Sequence, residues 1–228
     1  MTTIADAPTA ETAALLETWT RGWAASRGKP GPVPDGDGWR VEVGLPQQIR
    51  RHVFPRISDT LRERAETIHE PWVYLKACIT ADAMRALLPP RWTVQAPSFF
   101  MTFDAPLPRP ARLPDGYALS IDDDPESTAR SARIARVHAP DGMLAADGHM
   151  VIVDRSAIFD RIGTDAAHRR LGLGRAVMSA LHADAAERGV THGLLAATLD
   201  GHALYTTFGW RVQSPYASAV ILGDPVDG

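Results

Sequence analysis

The segment over residues 160–175 holds the residue types whose spacing best suits a chemical role. Gly172 and Gly174 carry no Cβ, so a ligand can approach the backbone closely at both positions. Arginines at positions 169, 170 and 175 surround them and add positive charge. An amphipathic helix is predicted to begin here, and a helix N-terminus offers unpaired backbone N–H groups and the positive end of its dipole. The segment therefore predicts a site that binds a phosphate-containing ligand.

Two other phosphate-binding patterns fit this segment less well. A dinucleotide fingerprint places a third glycine where the chain has Val177, and an acidic residue after the next strand, where 193–198 has none. A mononucleotide P-loop needs Gly-Lys-Ser/Thr, which is absent. A plain, solvated, arginine-rich helix start is the remaining alternative, although paired glycines weaken a helix and so need another reason to be there.

The elements that must position this segment form a mixed α/β lobe. Hydrophobic patterning predicts strands over 117–121, 131–138, 143–153, 157–164 and 193–198, and two strand-like runs around Pro215. Helices are predicted over 169–188, which Gly189 ends, and over 201–208. A run of antiparallel strands is followed by helix, strand, helix and strand, so the predicted fold class is α/β with a mixed, mostly antiparallel sheet.

The N-terminal half predicts a second, smaller lobe. Helices are predicted over 9–27, about 58–69 and 80–88, and strands over 39–43 and 72–77. The extended segment 92–103 is interpreted as a hairpin. Four prolines within 105–114 predict a stiff, extended linker. We therefore predict one domain over 1–108 and a second over 109–228.

The chain contains a short internal repeat. The pattern Trp-x-Val-Gln-small-Pro begins at Trp92 and again at Trp210, an offset of 118 residues, and just upstream Leu75 matches Leu195 at an offset of 120. Coincidence over six residues is the alternative. A true repeat would make the N-terminal half a reduced copy, in which 51–54 falls where 171–174 stands and lacks its glycines. Such a copy would be structural or would shape the acceptor site.

Two motifs together resemble the GNAT superfamily of N-acetyltransferases. Arg169-x-x-Gly172-x-Gly174, after a strand and opening a long helix, is similar to the superfamily's acyl-CoA pyrophosphate motif. Ala-Leu-Tyr-Thr-Thr-Phe-Gly-Trp at 203–210 is similar to its Leu-Tyr-x-x-x-Gly-Phe segment. The resemblance covers about 117–222. It implies a GNAT-like acyltransferase fold, which the N-terminal half joins only through the repeat, as the degenerate first lobe of a tandem arrangement.

The resemblance also implies contacts to coenzyme A. The backbone of Ile162, Gly163 and Thr164 would pair with the pantetheine arm as though it were a strand. Thr198 replaces an asparagine that often contacts the cofactor. The residues that would hold the pyrophosphate are Arg169, Arg170, Leu171, Gly172, Leu173, Gly174 and Arg175.

Two side chains are implied to take part in acyl transfer. Tyr205 stands where the superfamily's tyrosine protonates the departing thiolate, and Asp160 where many members carry a glutamate general base, often acting through water. An amine is mostly protonated at neutral pH, so a carboxylate must take its proton before it attacks the thioester. A backbone N–H can polarise the thioester carbonyl. The alternatives are packing for Tyr205 and, for Asp160, a salt bridge to an arginine such as Arg161.

One departure from the superfamily concerns the wall of the acceptor cleft. Members usually carry two helices between their first and second strands, whereas this chain has only 122–130 there. We expect the N-terminal half, through its first helix at 9–27, to replace that wall.

Bulk properties limit the partners. The net charge is −3 with no basic run, which argues against a nucleic-acid groove, and no apolar run approaches the ~20 residues of a membrane span. The single cysteine, Cys78, is expected in the core, and no Cys/His cluster predicts a metal site. The first ten residues lack a basic start and an apolar stretch, so we expect no signal peptide and a cytoplasmic protein.

The sequence thus predicts an enzyme that transfers an acetyl or short acyl group from acetyl-CoA to a primary amine by direct attack in a ternary complex. The acceptor would be a small molecule or a peptide, and the resemblance is compatible with a homodimer. The alternative from another class is a non-catalytic GNAT-like module that binds acyl-CoA or docks to a partner. A third keeps the enzyme but uses a longer acyl chain or a hydroxyl acceptor.

Overall fold

Residues 10–104 and 112–223, which the computed structural model describes, form five α-helices and thirteen strands. The N-terminal part contains α1 (Ala10–Ser26), β1 (Val33–Asp35), β2 (Gly38–Leu45), β3 (Gln48–Phe54), α2 (Asp59–Thr67), β4 (Val73–Ala77), α3 (Ala81–Leu87), β5 (Trp92–Val94) and β6 (Ser98–Phe103). The C-terminal part contains β7 (Ala118–Asp123), β8 (Arg133–His138), β9 (Leu144–Val153), β10 (Ser156–Thr164), a 3-10 turn (Ala166–His168), α4 (Leu173–Glu187), β11 (His192–Thr198), α5 (Leu199–Thr206), β12 (Arg211–Pro215) and β13 (Ala217–Ile221). The mixed α/β class predicted from the sequence is confirmed.

The two sheets exchange a strand. The N-terminal sheet has the order β1-β2-β3-β4-β13-β5, and the C-terminal sheet has the order β12-β6-β11-β10-β9-β8-β7. Thus β6 lies between two strands of the C-terminal half, and β13 lies between two strands of the N-terminal half. Neighbouring strands are antiparallel except for the parallel pairs β3–β4 and β10–β11. Mostly antiparallel pairing was expected, but the exchange was not.

The internal repeat maps onto matching places in the two sheets. The unit β4-α3-β5-β6 contains the first copy and the unit β11-α5-β12-β13 the second, and each unit sends its last strand to the other sheet. Neither 1–108 nor 109–228 therefore contains a complete sheet, and much of the expected linker, 105–111, lies outside the described residues. The division at residue 108 and the degenerate first lobe stay predictions.

Two details of the sequence interpretation are wrong. The segment 92–103 is no hairpin, because β5 pairs with β13 while β6 pairs with β11 and β12. Residues 51–54 do not correspond to the glycine turn at 171–174, because they lie inside β3. Since β3–β4 is the parallel pair that matches β10–β11, the N-terminal counterpart of the turn is 55–58, between β3 and α2.

Helix α1 fills the space between the sheets. The helix predicted over 9–27 is confirmed for Ala10–Ser26, and the face carrying Leu16, Trp19 and Trp23 is buried. These side chains belong to one apolar cluster with Val53 of β3 and Ile158 of β10. A Cβ on Gly22 would lie 2.5 Å from Ile158, so the helix backbone lies directly against β10. Helix α4 covers the opposite face of the C-terminal sheet, so the sheet that carries the candidate site is packed on both sides.

Two further expectations can be compared with the described residues. Cys78 is buried in the same cluster as α1, as expected for a core residue, and burial raises the pKa of its thiol to about 12. None of the described helices combines the length and the hydropathy that crossing a bilayer requires.

We predict that the two halves cannot fold alone. Without β6, the C-terminal sheet loses the hydrogen-bond ladders to β11 and β12. It also loses the buried side chains of Phe100, Met101 and Phe103, whose burial contributes on the order of 5 kcal/mol or more to the free energy of folding. Fragments 1–111 and 112–228 expressed separately should show no cooperative thermal transition in circular dichroism, whereas co-expression should restore one. The full chain cleaved once within 105–111 is the control and should stay associated. A fragment that unfolds cooperatively as a monomer would contradict the prediction.

Candidate functional site

A cleft opens where the two parallel strands of the C-terminal sheet diverge. β10 and β11 pair only from Ser156 to Ile158 on the β10 side, and a bulge between Asp160 and Gly163 then turns β10 away. Arg161, inside the bulge, has a φ of +52°. Bulges re-aim side chains and end pairing at functional positions. The cleft measures about 580 Å³. The residues singled out in the sequence that line it are Asp160, Ile162, Gly163, Thr164, Arg169, Gly174, Thr198 and Tyr205.

The glycine turn leaves the start of α4 open. Arg170 and Gly172 have φ values of +64° and +76°, which a right-handed helix excludes, so the helix begins at Leu173 rather than at residue 169 as expected. Gly172 is the N-cap and has no side chain that could cap the helix. The first helical donor inside α4 is Ala176 N–H, 3.0 Å from Gly172 O. The preceding N–H groups therefore lack intrahelical partners and can bind an anion.

Positive charge is concentrated at this helix start. Arg169 and Arg170 are exposed, and neither forms an ion pair or hydrogen bond with any residue in the described ranges. Arg175 lies with its guanidinium carbon 4.6 Å from the centre of the Phe208 ring. Leu171 is exposed, whereas the Leu173 side chain is buried, so only its backbone can reach a ligand.

Gly174 brings three elements close together. A Cβ at this position would lie 3.5 Å from Thr164 Oγ1 of β10 and 3.6 Å from Leu204 Cδ2 of α5. Thr198 caps α5 by accepting a hydrogen bond from Gly201 N at 3.2 Å, which takes up part of its bonding capacity. The turn, the strand and the short helix thus meet along one wall of the cleft.

Tyr205 lies in the cleft as a largely buried phenol. It is 7% exposed, and its ring packs beside Gly201 and 6.1 Å from the centre of the Trp210 ring. Burial, and to a smaller extent the charge of Asp160, raises the pKa of Tyr205 to about 12. Because the phenol keeps its proton at neutral pH, it can donate that proton to an anion that forms beside it.

Asp160 is held by the end of α1. Arg27 Nε donates to Asp160 Oδ2 at 2.7 Å and Arg27 Nη2 to Oδ1 at 3.1 Å, while Ser26 Oγ lies 3.2 Å from Oδ2. The arginine that pairs with Asp160 is therefore Arg27 and not Arg161, which binds Glu126 and Asp124 instead. A carboxylate has about four lone-pair sites, so about one remains for a substrate amine or a water.

Comparison with known proteins places the chain by its fold. No protein-family model matches it, and no curated sequence does so significantly. A GCN5-related N-acetyltransferase from Kribbella flavida superposes with a TM-score of 0.64 at 15% identity, covering 96% of this chain and 97% of that one. The GNAT fold is the fold of this chain. A GCN5-related N-acetyltransferase-like protein from Streptococcus suis (TM-score 0.60, 13% identity, 92% and 98% covered) and a GNAT-family protein from Novosphingobium aromaticivorans (0.58, 17%, 91% and 96%) agree.

Within this GNAT fold, the C-terminal end of α1 lies beside the cleft. Ser26 and Arg27 at its C-terminal end contact Asp160 on β10, beside the cleft that contains Tyr205. The first helix therefore lies near Asp160, as expected, whereas its role as a wall of the acceptor cleft stays a prediction. Sequence reasoning missed Ser26 and Arg27 themselves. Because 133 residues separate Arg27 from Asp160, no local pattern indicates that they pair. The expected position of α1 near the cleft was the one signal that pointed toward them.

Two glycines of α4 allow a matched test of the anion-binding turn. Gly172 and Gly189 lie at opposite ends of the helix, both have a φ of +76°, and a Cβ at either would meet nothing within 4 Å. Gly172→Val and Gly189→Val should therefore each cost roughly 1–2 kcal/mol of backbone strain. Only Gly172→Val should weaken acetyl-CoA binding, by about tenfold or more in calorimetry. Equal affinities in the two variants would show that the turn does not bind the cofactor.

The raised pKa of Tyr205 predicts a stability loss at high pH. In the unfolded chain this phenol ionises near pH 10, whereas in the folded chain it does so near pH 12, so its contribution is present below pH 10 and lost as the pH rises toward 12. The free energy of unfolding of the wild type relative to Tyr205→Phe should fall by about 1 kcal/mol between pH 8 and pH 11 in urea titrations. Tyr117→Phe, which alters a partly exposed phenol, is the control. A difference that stays constant with pH would contradict the assignment.

Proposed function

We propose that this protein transfers an acetyl or short acyl group from acetyl-CoA to a primary amine by direct attack in a ternary complex. The observation that supports it most strongly is the uncapped start of α4, with exposed arginines, at one end of the cleft formed by the diverging strands. The GNAT fold of the chain agrees with this function.

The turn and the cleft suit the two parts of coenzyme A. The N–H groups at the start of α4, with Arg169, Arg170 and Arg175, form a site for the pyrophosphate. Ile162 lies inside the bulge, Gly163 and Thr164 pair with β9 on one side, and β11 does not pair with their other edge. That edge is available to pair with the amides of the pantetheine arm, and a strand N–H there can polarise the thioester carbonyl.

Tyr205 and Asp160 take the proton-transfer roles. The neutral phenol of Tyr205 donates its proton to the thiolate that leaves as coenzyme A, and the negative charge of Asp160 helps to keep it neutral. Asp160, held by Arg27, has about one lone-pair site left and accepts the amine proton directly or through a water. Thr198 contributes through the start of α5, which it caps.

We further propose a tandem architecture and a cellular location for the enzyme. The N-terminal half is a degenerate GNAT-like copy: its counterpart of the glycine turn, residues 55–58, reads Pro-Arg-Ile-Ser and contains no glycine. It contributes the wall and the exchanged strand instead of a second cofactor site. The acceptor is a small molecule or a peptide rather than a nucleic acid or a membrane, and we place the protein in the cytoplasm, where it could form a homodimer.

Calorimetry and a thiol-release assay test this function. The protein should bind acetyl-CoA, and it should release free coenzyme A when a panel of primary amines is added. Tyr205→Phe should lower turnover by about 10²-fold while the acetyl-CoA Kd changes less than about twofold, because the phenol acts in the chemical step. Tyr117→Phe, in the same lobe but hydrogen-bonded to His168, is the matched control and should behave like the wild type. Absence of acetyl-CoA binding would refute the proposal.

A second candidate function is a GNAT-like module that binds acyl-CoA without turning it over. The observation that favours it is that Asp160 already accepts hydrogen bonds from Arg27 and Ser26, which reduces its capacity to act as a general base. Binding of acetyl-CoA without thiol release across the panel would support this candidate.

A further inference from the structure

Arg51 is a buried cation whose guanidinium stacks on an indole. It lies on β3, is 6% exposed, and its guanidinium carbon lies 3.3 Å from the centre of the Trp23 ring of α1. The Arg51 backbone pairs with β2 and β4, but across 10–104 and 112–223 no residue forms a hydrogen bond or ion pair with its guanidinium, whose Nε is buried and unsatisfied. Burial lowers the pKa of Arg51 to about 10, so the side chain is still charged at neutral pH.

A charge in this state is costly to the fold. Stacking on an indole stabilises a guanidinium by about 0.5–2 kcal/mol, which does not replace the hydration and hydrogen bonds lost on burial. Buried charges are ordinarily paired, and an unpaired one leaves a strong preference for an anion at that point. An anionic group bound to Arg51 would therefore compensate its buried charge more fully than the contact with Trp23 does.

A second unsatisfied donor faces the same region. Tyr216, between β12 and β13, is 2% exposed, and its hydroxyl is buried without a hydrogen-bond partner. Its ring packs 5.5 Å from that of Trp19, and its phenol acts electrostatically on Arg51. Two buried donors that come from different elements and lack acceptors indicate a small polar site between α1 and the N-terminal sheet.

The other cations nearby are already engaged. Arg27 is neutralised by Asp160, and Lys76 donates to Ser218 Oγ at 2.9 Å. The pKa of Lys76 is lowered well below its usual value, first by burial and then by Arg51 and Arg27. Arg51 is therefore the cation of this group whose guanidinium has no hydrogen-bonding acceptor in the described residues, and a guanidinium matches a carboxylate through its fixed pairs of N–H donors.

This region adjoins the cleft through Asp160. That carboxylate lines the cleft, and its charge acts on both Tyr205 and Arg51. Its side chain is 15% exposed and accepts hydrogen bonds from Arg27, so it connects the cleft to the end of α1. We propose that Arg51 and Tyr216 bind the carboxylate of the acceptor, so that the substrate is an amine that also carries a carboxylate. This inference rests on the proposed function.

Matched acceptors test the inference. Glycine, β-alanine and 4-aminobutanoate are compared with their amides, glycinamide, β-alaninamide and 4-aminobutanamide, and phosphoethanolamine tests a dianion. Wild-type kcat/KM from coenzyme A release should favour the best carboxylate over its amide by about tenfold or more. Arg51→Met should reduce that preference to within about twofold, mainly through the acceptor KM, and leave acetyl-CoA affinity unchanged. Arg21→Met, which removes an exposed arginine of α1 paired with Asp154, should retain the preference.

Stability provides a readout independent of activity. If Arg51 awaits a ligand, Arg51→Met removes an unpaired buried charge and should keep or raise Tm, whereas a structural arginine would lower it. Equal rates for acids and amides, a preference for phosphoethanolamine, or a destabilised Arg51→Met variant that keeps the preference would each overturn the inference.

A binding arm separates this inference from the proposed function. Should no amine cause thiol release, the same acids and amides are added in thermal-shift experiments instead. A rise in Tm with a carboxylate acceptor, absent with its amide and absent in Arg51→Met, would support the carboxylate site even though acyl transfer had failed. No rise with any acid would overturn it.

Discussion

Backbone hydrogen bonding ties the two halves of this chain together. β6 must reach across to pair with β11 and β12, and β13 must reach back to pair with β4 and β5. Buried N–H and C=O groups without partners are costly, so neither sheet completes its ladder unless both exchanges occur. The apolar cluster around α1 follows from this arrangement. The exchanged strands hold the two sheets close together, and α1 packs between side chains of both sheets. The position of every group in the candidate site depends on it.

The cleft itself arises from a single irregularity in the C-terminal sheet. Two regular parallel strands would stay paired and leave no opening, but the bulge after Asp160 turns β10 away from β11. The turn ahead of α4 then places uncapped N–H groups at the end of the gap, because Gly172 permits a backbone that other residues adopt at a cost. Bulge and turn are both local distortions, and the well-packed sheet around them keeps them in place.

Charge is distributed unevenly along the site. The end near α4 presents exposed guanidinium groups, which suits a hydrated polyanion that arrives from solvent. The end between the sheets contains Arg51 in a dry environment, where a single anion would be held more strongly. Asp160 lies between these ends, and its pairing with Arg27 reduces the repulsion that it would exert on an incoming anion. In the function proposed above, this distribution would place the phosphates of one ligand and the carboxylate of the other near different arginines.

Much of the local structure could be predicted from the sequence. The extents of α1, β9, β10 and β11 follow from hydrophobic periodicity. The glycine turn follows from two glycines beside arginines, a combination that disfavours a regular helix and suits an anion-binding turn. The helix start was placed four residues early, because positive φ at Arg170 and Gly172 cannot be read from a periodic pattern. The hairpin at 92–103 was wrong for a related reason, since a strand carries no local sign of which sheet it will join.

The sequence by itself determined most of the helices and strands, the glycine turn that predicts phosphate binding, and the resemblance that named Tyr205 and Asp160. Only the tertiary structure decided that the two halves exchange strands, that Arg27 holds Asp160, and that the Arg51 guanidinium is buried without a hydrogen bond or ion pair among the described residues. The physical reason is separation along the chain. Secondary structure and turns depend on neighbours within a few residues, whereas these three features depend on residues far apart in the sequence and on packing, burial and strand register rather than on any local pattern.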